Sequence, residues 1–328
     1  MRGTRGAWAL AATLAAGLLL SGCGDDAAPA EADAAPAAGG PVSLERCGEQ
    51  IELPAPASRA VTLNQHATEL VLAMGLGDRL IGSSLLDNDV NPDLLTAYEK
   101  VPVLSELAYP SKEALIGLGP DVLIGGFGPT FSEANNLQPD QFRSAGIGLF
   151  TVQCRDQQLD LAALTDVVTR LGVLFGDPAA ATTLNAQLDT EFQEVREQVA
   201  GNPPVDTLVF DSGEAAPTVG GGQGIGDELL TLAGGKNVFA DLDDDWGEAS
   251  WEEVVARDPD VIVIVDYRTA GITAEKKISD LKANPALAGV TAVRDDRFVV
   301  VGLTGFGALS PSNPDVAAQL ADTLHPNS

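Results

Sequence analysis

The chain has 328 residues, of which 19 are Lys or Arg and 47 are Asp or Glu, giving a formal net charge of −28 at pH 7. With no Lys/Arg cluster to neutralise phosphates, this balance excludes a nucleic-acid partner, and the acidic surface serves solubility instead. Apolar residues make up 45% of the chain, enough for two lobes of ordinary size, each with its own core.

In chain order, Arg2 and Arg5 precede an apolar stretch over 7–20, closed by Leu20-Ser21-Gly22-Cys23. This pattern reads as an export leader that is removed, not folded. The apolar run of about 14 residues is too short for a span that needs about 20. The ending resembles the lipobox of bacterial lipoproteins. That resemblance implies a leader over 1–23 and a lipid on Cys23, which would hold the protein at the outer face of the cytoplasmic membrane. Residues 24–41 are Ala, Pro, Gly, Asp and Glu without a large apolar side chain, so they read as a disordered tether. Loss of the leader removes two of 19 basic residues and no acidic ones, so the mature charge is 17 minus 47, or −30. Export also bears on Cys47 and Cys154. An oxidising compartment favours a disulfide between them over two buried thiols.

Beyond the tether, apolar runs over 60–63, 121–125 and 149–153, then 207–210, 261–265 and 298–301, read as buried strands alternating with helices. That alternation implies α/β architecture with mostly parallel sheets. Two segment pairs repeat between the halves. Glu113 and Glu252 each stand seven residues before a Pro-Asp pair, Pro120-Asp121 and Pro259-Asp260, and a β-branched run follows each pair. Each spacing predicts a short helix that stops before Pro and feeds a strand. Glu69 and Glu228 each stand six residues before a glycine, Gly75 and Gly234, suited to end a helix. Between the halves, Leu184, Leu188, Phe192, Val195 and Val199 recur at helical spacing from Asp177-Pro178 to Gly201. The expected organisation is an N-terminal lobe over 42–176, a connecting helix over 177–201 and a C-terminal lobe over 202–328, with a cleft between Rossmann-like lobes.

These units, together with Val61-Thr-Leu-Asn-Gln-His-Ala-Thr-Glu69, Leu76-Gly-Asp-Arg-Leu-Ile-Gly82 and Ala233-Gly-Gly-Lys-Asn-Val-Phe-Ala-Asp241, resemble the metal-chelate class of ABC-importer solute-binding proteins over about residues 45–325. The resemblance implies two lobes joined by a long helix, a chelate held in the cleft and a small opening motion. It also implies one exposed Glu per lobe, Glu113 and Glu252, that pairs with arginines of a membrane permease served by its ATPase. Glu253 adjoins the second position and competes for the role, while the bland role of either Glu is to favour its helix N-terminus. The body is expected to act as a monomer that touches the membrane only through its lipid.

Solutes of open α/β sheets bind beyond the carboxyl ends of the strands. That rule nominates Asn64, Gln65, His66, Tyr109 and Phe127 from the first lobe. From the second it nominates 211–214, Trp246, Tyr267, Arg268 and Phe306. The aromatic rings suit flat apolar walls, and Arg268 suits oxygens around a chelated metal. Arginines are few near the expected cleft, which departs from siderophore binders of that class that hold an anionic ferric complex with several. A ferric siderophore of the hydroxamate type is still the first expectation, and a neutral chelate, cobalamin or another large cofactor-like molecule is the alternative. With only His66 and His325, direct ligation of a bare metal is not expected. Asp241, Asp243 and Asp245 alternate like a calcium loop but meet Trp246 where the sharp-turn glycine belongs, so they read as a solvated acidic loop. The glycine run over 220–226 lacks a nucleotide-binding spacing but could offer backbone N–H groups to a solute. No Gly-x-Ser-x-Gly elbow or matched nucleophile is present, so an exported hydrolase is set aside, and no resident cofactor is expected.

Overall fold

The computed structural model describes residues 39–155 and 157–326. The expected leader, Cys23 and most of the tether lie outside them. Among the described residues no helix is long and apolar enough to cross a membrane.

The body opens on an antiparallel hairpin, β1 (Val42–Arg46) and β2 (Glu49–Leu53), whose alternating pattern buries Val42, Leu44, Ile51 and Leu53. The N-terminal lobe follows, with β3 (Ala60–Thr62), β4 (Leu80–Ser84), β5 (Val103–Ser105), β6 (Val122–Gly125) and β7 (Gly148–Thr151). Its helices are α1 (Gln65–Ala73), α2 (Leu95–Tyr98), α3 (Lys112–Leu118), α4 (Pro139–Ser144) and α5 (Leu161–Phe175). The five strands of this sheet run parallel in the order β5-β4-β3-β6-β7. The chain leaves β3 toward one edge and β6 toward the other. The carboxyl ends of β3 and β6 therefore flank a switch-point crevice.

The connecting helix, α6 (Pro178–Gln198), has Pro178 in its first turn and is capped by Asp177, whose side chain accepts from the Ala180 N–H at 3.0 Å. Leu184, Leu188, Phe192 and Val195 are buried, each contributing roughly 1.5–3 kcal/mol. Early in α6, Asn185 donates to Thr165 O and Thr169 Oγ1 of α5.

The C-terminal lobe carries β8 (Val205–Ser212), β9 (Thr218–Gly220), β10 (Gly235–Asn237), β11 (Trp246–Glu248), β12 (Val261–Asp266) and β13 (Phe298–Gly302). Its helices are α7 (Ile225–Leu232), α8 (Trp251–Arg257), α9 (Ala274–Ala283), α10 (Thr291–Arg294), α11 (Leu303–Phe306) and α12 (Asn313–Leu324). At the far end of α6, Gln198 donates to Asp322 of α12 at 2.7 Å, so one helix is bonded to both lobes. The sheet order is β11-β9-β8-β12-β13, with β10 also beside β8. β10, β12 and β13 run parallel to their neighbours, while β9 is antiparallel to β8 and to β11. This sheet is mixed where the sequence implied mostly parallel strands. The short β9 and β11 lie in a Gly- and Asp-rich stretch with little apolar signal.

The repeated units share their chemistry. Ser111 caps α3 and Gly119 ends it at φ 60°, while Ser250 caps α8 and Asp258 ends it at φ 40°. Pro120 and Pro259 then prevent continuation, and the buried strands β6 and β12 begin. Gly75 and Gly234, at φ 74° and 78°, end α1 and α7 in the same left-handed way.

Direct hydrogen bonds fasten the lobes to each other. Asn88 donates to Asp266 O at 2.8 Å and accepts from the Thr304 N–H at 3.0 Å. Asn91 donates to Ser312 Oγ and Asp315 Oδ2, and the Arg268 N–H reaches Asp87 O at 2.8 Å. Beneath them Glu69 is fully buried and accepts from Gln65 Nε2, the Asn91 N–H and Ser312 Oγ. Burial pushes its carboxyl pKa up against these bonds.

Candidate functional site

Between the lobes lies a cavity of about 550 Å³, within the range of small-molecule sites. One wall belongs to the N-terminal lobe: Phe127, just past β6, and residues 153–155 and 157–159, which follow β7. The other wall consists of Gln223 and Asp243, Asp244 and Asp245. Two bonds cross between the lobes beside this space. The Leu159 N–H donates to Gln223 O at 2.9 Å, and the Leu309 N–H donates to Gln153 Oε1 at 3.1 Å. Cys47 in the β1–β2 turn is disulfide-bonded to Cys154, which ties the first wall to the hairpin.

The glycine run builds the acidic wall. Gly221, Gly222 and Gln223 donate their N–H groups to Asp245 O, Leu242 O and Asp244 O at 2.9, 3.0 and 3.1 Å. A Cβ at Gly221 would stand 2.4 Å from Asp244 O, and one at Gly222 would stand 2.3 Å from Ala240 O, so only glycine allows this approach. One expectation is corrected here. The N–H groups of 221–223 are used on the neighbouring loop and are not offered to a solute. The acidic loop keeps exposed carboxylates at 241, 243 and 244, and its backbone is at the same time pinned as a cleft wall.

Of the nominated residues, Phe127 lines the cavity. Trp246 and Phe306 line a narrow adjoining crevice that shares Leu159 and Asp245 with it. Asn64 lies beneath, its Oδ1 accepting from the Gly126 N–H at 2.9 Å and facing Tyr109 Oη and Thr130 Oγ1 at 3.4 Å. Gln65 is buried and accepts from the Asn88 N–H at 2.8 Å. Asn64, Gln65 and Tyr109 therefore brace the floor and the interlobe joint. His66 is 1% exposed, with its ring edge-on to Phe127 at 4.7 Å and no hydrogen-bond partner on either ring nitrogen among the described residues. Burial pushes its pKa down to about 4, opposed weakly by the adjacent Gly126 backbone, so the ring is neutral at pH 7.

Tyr267 stands away from the cavity, its hydroxyl donating to Asp211 Oδ2 at 3.4 Å. Burial and then Asp211 push the Tyr267 pKa up to about 12. Arg268 is also outside the cavity. It pairs with Asp89 at 2.6 Å and lines a separate hollow beside Leu86, Val90 and Tyr98. A residue that follows a strand can turn toward either lobe face, and the acidic residues at 87 and 89 draw this cation to the joint.

Gln153, Arg155, Gln157 and Gln158 were missed in the sequence reading, although the same carboxyl-end rule applied to the run over 149–153 points to them. Gln223 and Asp243–Asp245 carried no comparable signal, because their position depends on the long-range pairing with the glycine run.

Glu113 and Glu252 lie in the first turns of α3 and α8 and are exposed. Lys112 Nζ approaches Glu113 only to 3.9 Å. Glu253 accepts from the Ser250 N–H and Oγ in a capping box, and these bonds hold its pKa below the usual range. Glu253 is thereby committed to its helix, which leaves Glu252 outward. A helix that precedes a parallel strand and packs back on it begins at that strand's carboxyl end, so both glutamates belong to the cleft-side rim.

The family profile described as periplasmic binding protein matches residues 61–302. The chain belongs to that family. A vitamin B12-binding protein of Vibrio cholerae is 27% identical over 217 residues, covering 66% of this chain and 74% of that protein. A periplasmic binding protein from Veillonella parvula superposes with a TM-score of 0.77 at 27% identity, covering 88% of this chain and 99% of that one. An ABC-type Fe3+-hydroxamate transport protein from Saccharomonospora viridis gives 0.75 at 20% identity over 87% and 99%. Vitamin B12 binding and Fe3+-hydroxamate transport both fall in the chelate-binding class that the sequence resembles. The receptor described here is likewise a solute-binding protein of an ABC importer, not an enzyme.

Proposed function

We propose that this receptor captures a metal chelate in the interlobe cavity and delivers it to an ABC permease, with a ferric siderophore as the first candidate. The observation that carries the reading is the cavity itself, about 550 Å³ between two fastened lobes. Glutamine amides and the Phe127 ring line it, a mixture suited to a large, polar-edged organic ligand. The B12-binding relative supports cobalamin as the second candidate. The leader, the lipid on Cys23 and the tether over 24–41 would keep the body at high effective concentration beside its permease.

Glu113 and Glu252 are the proposed docking residues, one per lobe, each free to accept a bidentate arginine contact. Titration with ferric hydroxamates, ferric catecholates, haem and cobalamin, followed by tryptophan fluorescence, tests the binding role. Saturable quenching by at least one chelate is expected, and quenching by none would sink it. The pair Glu113→Ala and Glu252→Ala should abolish uptake while leaving solute affinity unchanged. Lost affinity would place these residues in the pocket instead.

A further inference from the structure

The two walls of the cavity differ in charge. Asp243, Asp244 and Asp245 stand in succession on one side, and Arg155 is the single cation among the described lining residues. The remaining polar lining is uncharged glutamine at 153, 157, 158 and 223. The carboxylates cannot simply swing away, because the backbone bonds from 221–223 hold their loop in place. Each also engages a local partner: Asp243 accepts from Gln223 Nε2, Asp244 from the Asp245 N–H, and Asp245 from the Trp246 N–H. Each of these bonds is made through one carboxylate oxygen, and Asp244 and Asp245 also meet side chain to side chain. Burial and the neighbouring Asp244 raise the Asp245 pKa, as expected for carboxylates crowded at a partly dry rim.

We infer that this cleft selects neutral or cationic chelates and rejects polyanionic ones, with Asp243, Asp244 and Asp245 as the residues that set the preference. The inference rests on the reading that the cleft holds a metal chelate. Three hydroxamates neutralise ferric iron, whereas three catecholates leave a trianion facing the acidic wall. The glutamine amides would supply donors and acceptors to amide edges in either a hydroxamate or a corrinoid. Across a solvent-connected cavity of this size, the excess of carboxylates should change Kd about threefold per unit of ligand charge at low salt.

The test is a charge series on one iron core: a linear ferric trihydroxamate with a free terminal amine, its N-acetyl form and its N-succinyl form. A neutral corrinoid and its monocarboxylate cover the second solute class. Kd is measured on the exported protein by tryptophan fluorescence at low and high salt. The expected order is cation tightest and anion weakest, spanning about tenfold. High salt should narrow the span, and Asp243→Asn with Asp244→Asn should flatten it while thermal stability is kept. Because the salt arm uses the unaltered protein, the test survives a variant that misfolds. Tightest binding of an anionic member, or an order that persists at high salt and in the variant, overturns the inference while leaving the chelate reading standing. Absence of binding by every chelate overturns the chelate reading and this inference with it.

Discussion

His66 allows a quantitative test of the cleft floor. Its imidazole is 1% exposed, its ring nitrogens have no hydrogen-bond partner among the described residues, and its pKa falls from 6.5 to about 4. The unfolded chain therefore takes up a proton as pH falls through 6.5, while the folded chain takes it up only near 4. Stability contributed by the neutral ring is fully present above about pH 6.5 and is lost as pH falls toward 4. The gap from 6.5 to about 4 corresponds to about 3 kcal/mol, of which about 2 should be lost by pH 5. Glu69, Asp87, Asp227 and Asp315 have raised pKa values and act in the opposite direction. The assay must therefore compare proteins and not read one curve. Urea unfolding of the wild type and of His66→Leu, each at pH 7 and pH 5, isolates the term. Whatever the variant loses at pH 7, its pH-dependent loss should be smaller than the wild type's by about 2 kcal/mol. Equal losses in the two proteins would refute a neutral, desolvated His66.

Three further outcomes follow from the joints and walls. Asn88→Ala leaves Asp266 O and the Thr304 N–H unpaired between the lobes, so chemical denaturation should show a loss of about 2 kcal/mol; an unchanged midpoint would mean that water replaces both bonds. Cys47→Ser opens a link between residues 107 apart and should cost about 2–4 kcal/mol, with weaker solute binding because the wall at 153–155 loses its anchor. A melting temperature insensitive to both the mutation and a reductant would contradict this. Gly222→Ala sets a Cβ against Ala240 O at 2.3 Å, where backbone cannot yield as a side chain would. A loss of about 1–3 kcal/mol and a weakened charge preference are expected, and calorimetry with the hydroxamate series would show whether either is missing.

Much of the fold was legible because its signals are local. The Pro-Asp and glycine stops, the serine caps and the β-branched runs over 122–125 and 261–266 carry their meaning within about ten residues. The helix from Pro178 to Gln198 was equally plain from spacing. The hairpin β1–β2 lacks the continuous apolar run that marks strands such as β6 and β12; its Val42, Leu44, Ile51 and Leu53 alternate with polar residues directly after the polar tether. The site was less legible because strand ends nominate positions without saying where side chains turn. Phe127 reached the cavity, whereas Arg268, by the same rule, was drawn to Asp89. The acidic wall depends on a pairing between 221–223 and 242–245 that no local pattern announces.

The bonds through Asn88, Asn91 and Arg268 bear on how affinity arises. A two-lobed receptor with loose hinges must surrender much of its freedom when a solute closes it, and that entropy is subtracted from binding. Here the lobes are already joined through residues 87–91, through α6 and across the cavity itself. Lobes joined in this way have little freedom to lose, so binding should proceed with little change in radius of gyration. A permease meeting this receptor would have to distinguish full from empty at the cleft rim and not by overall shape.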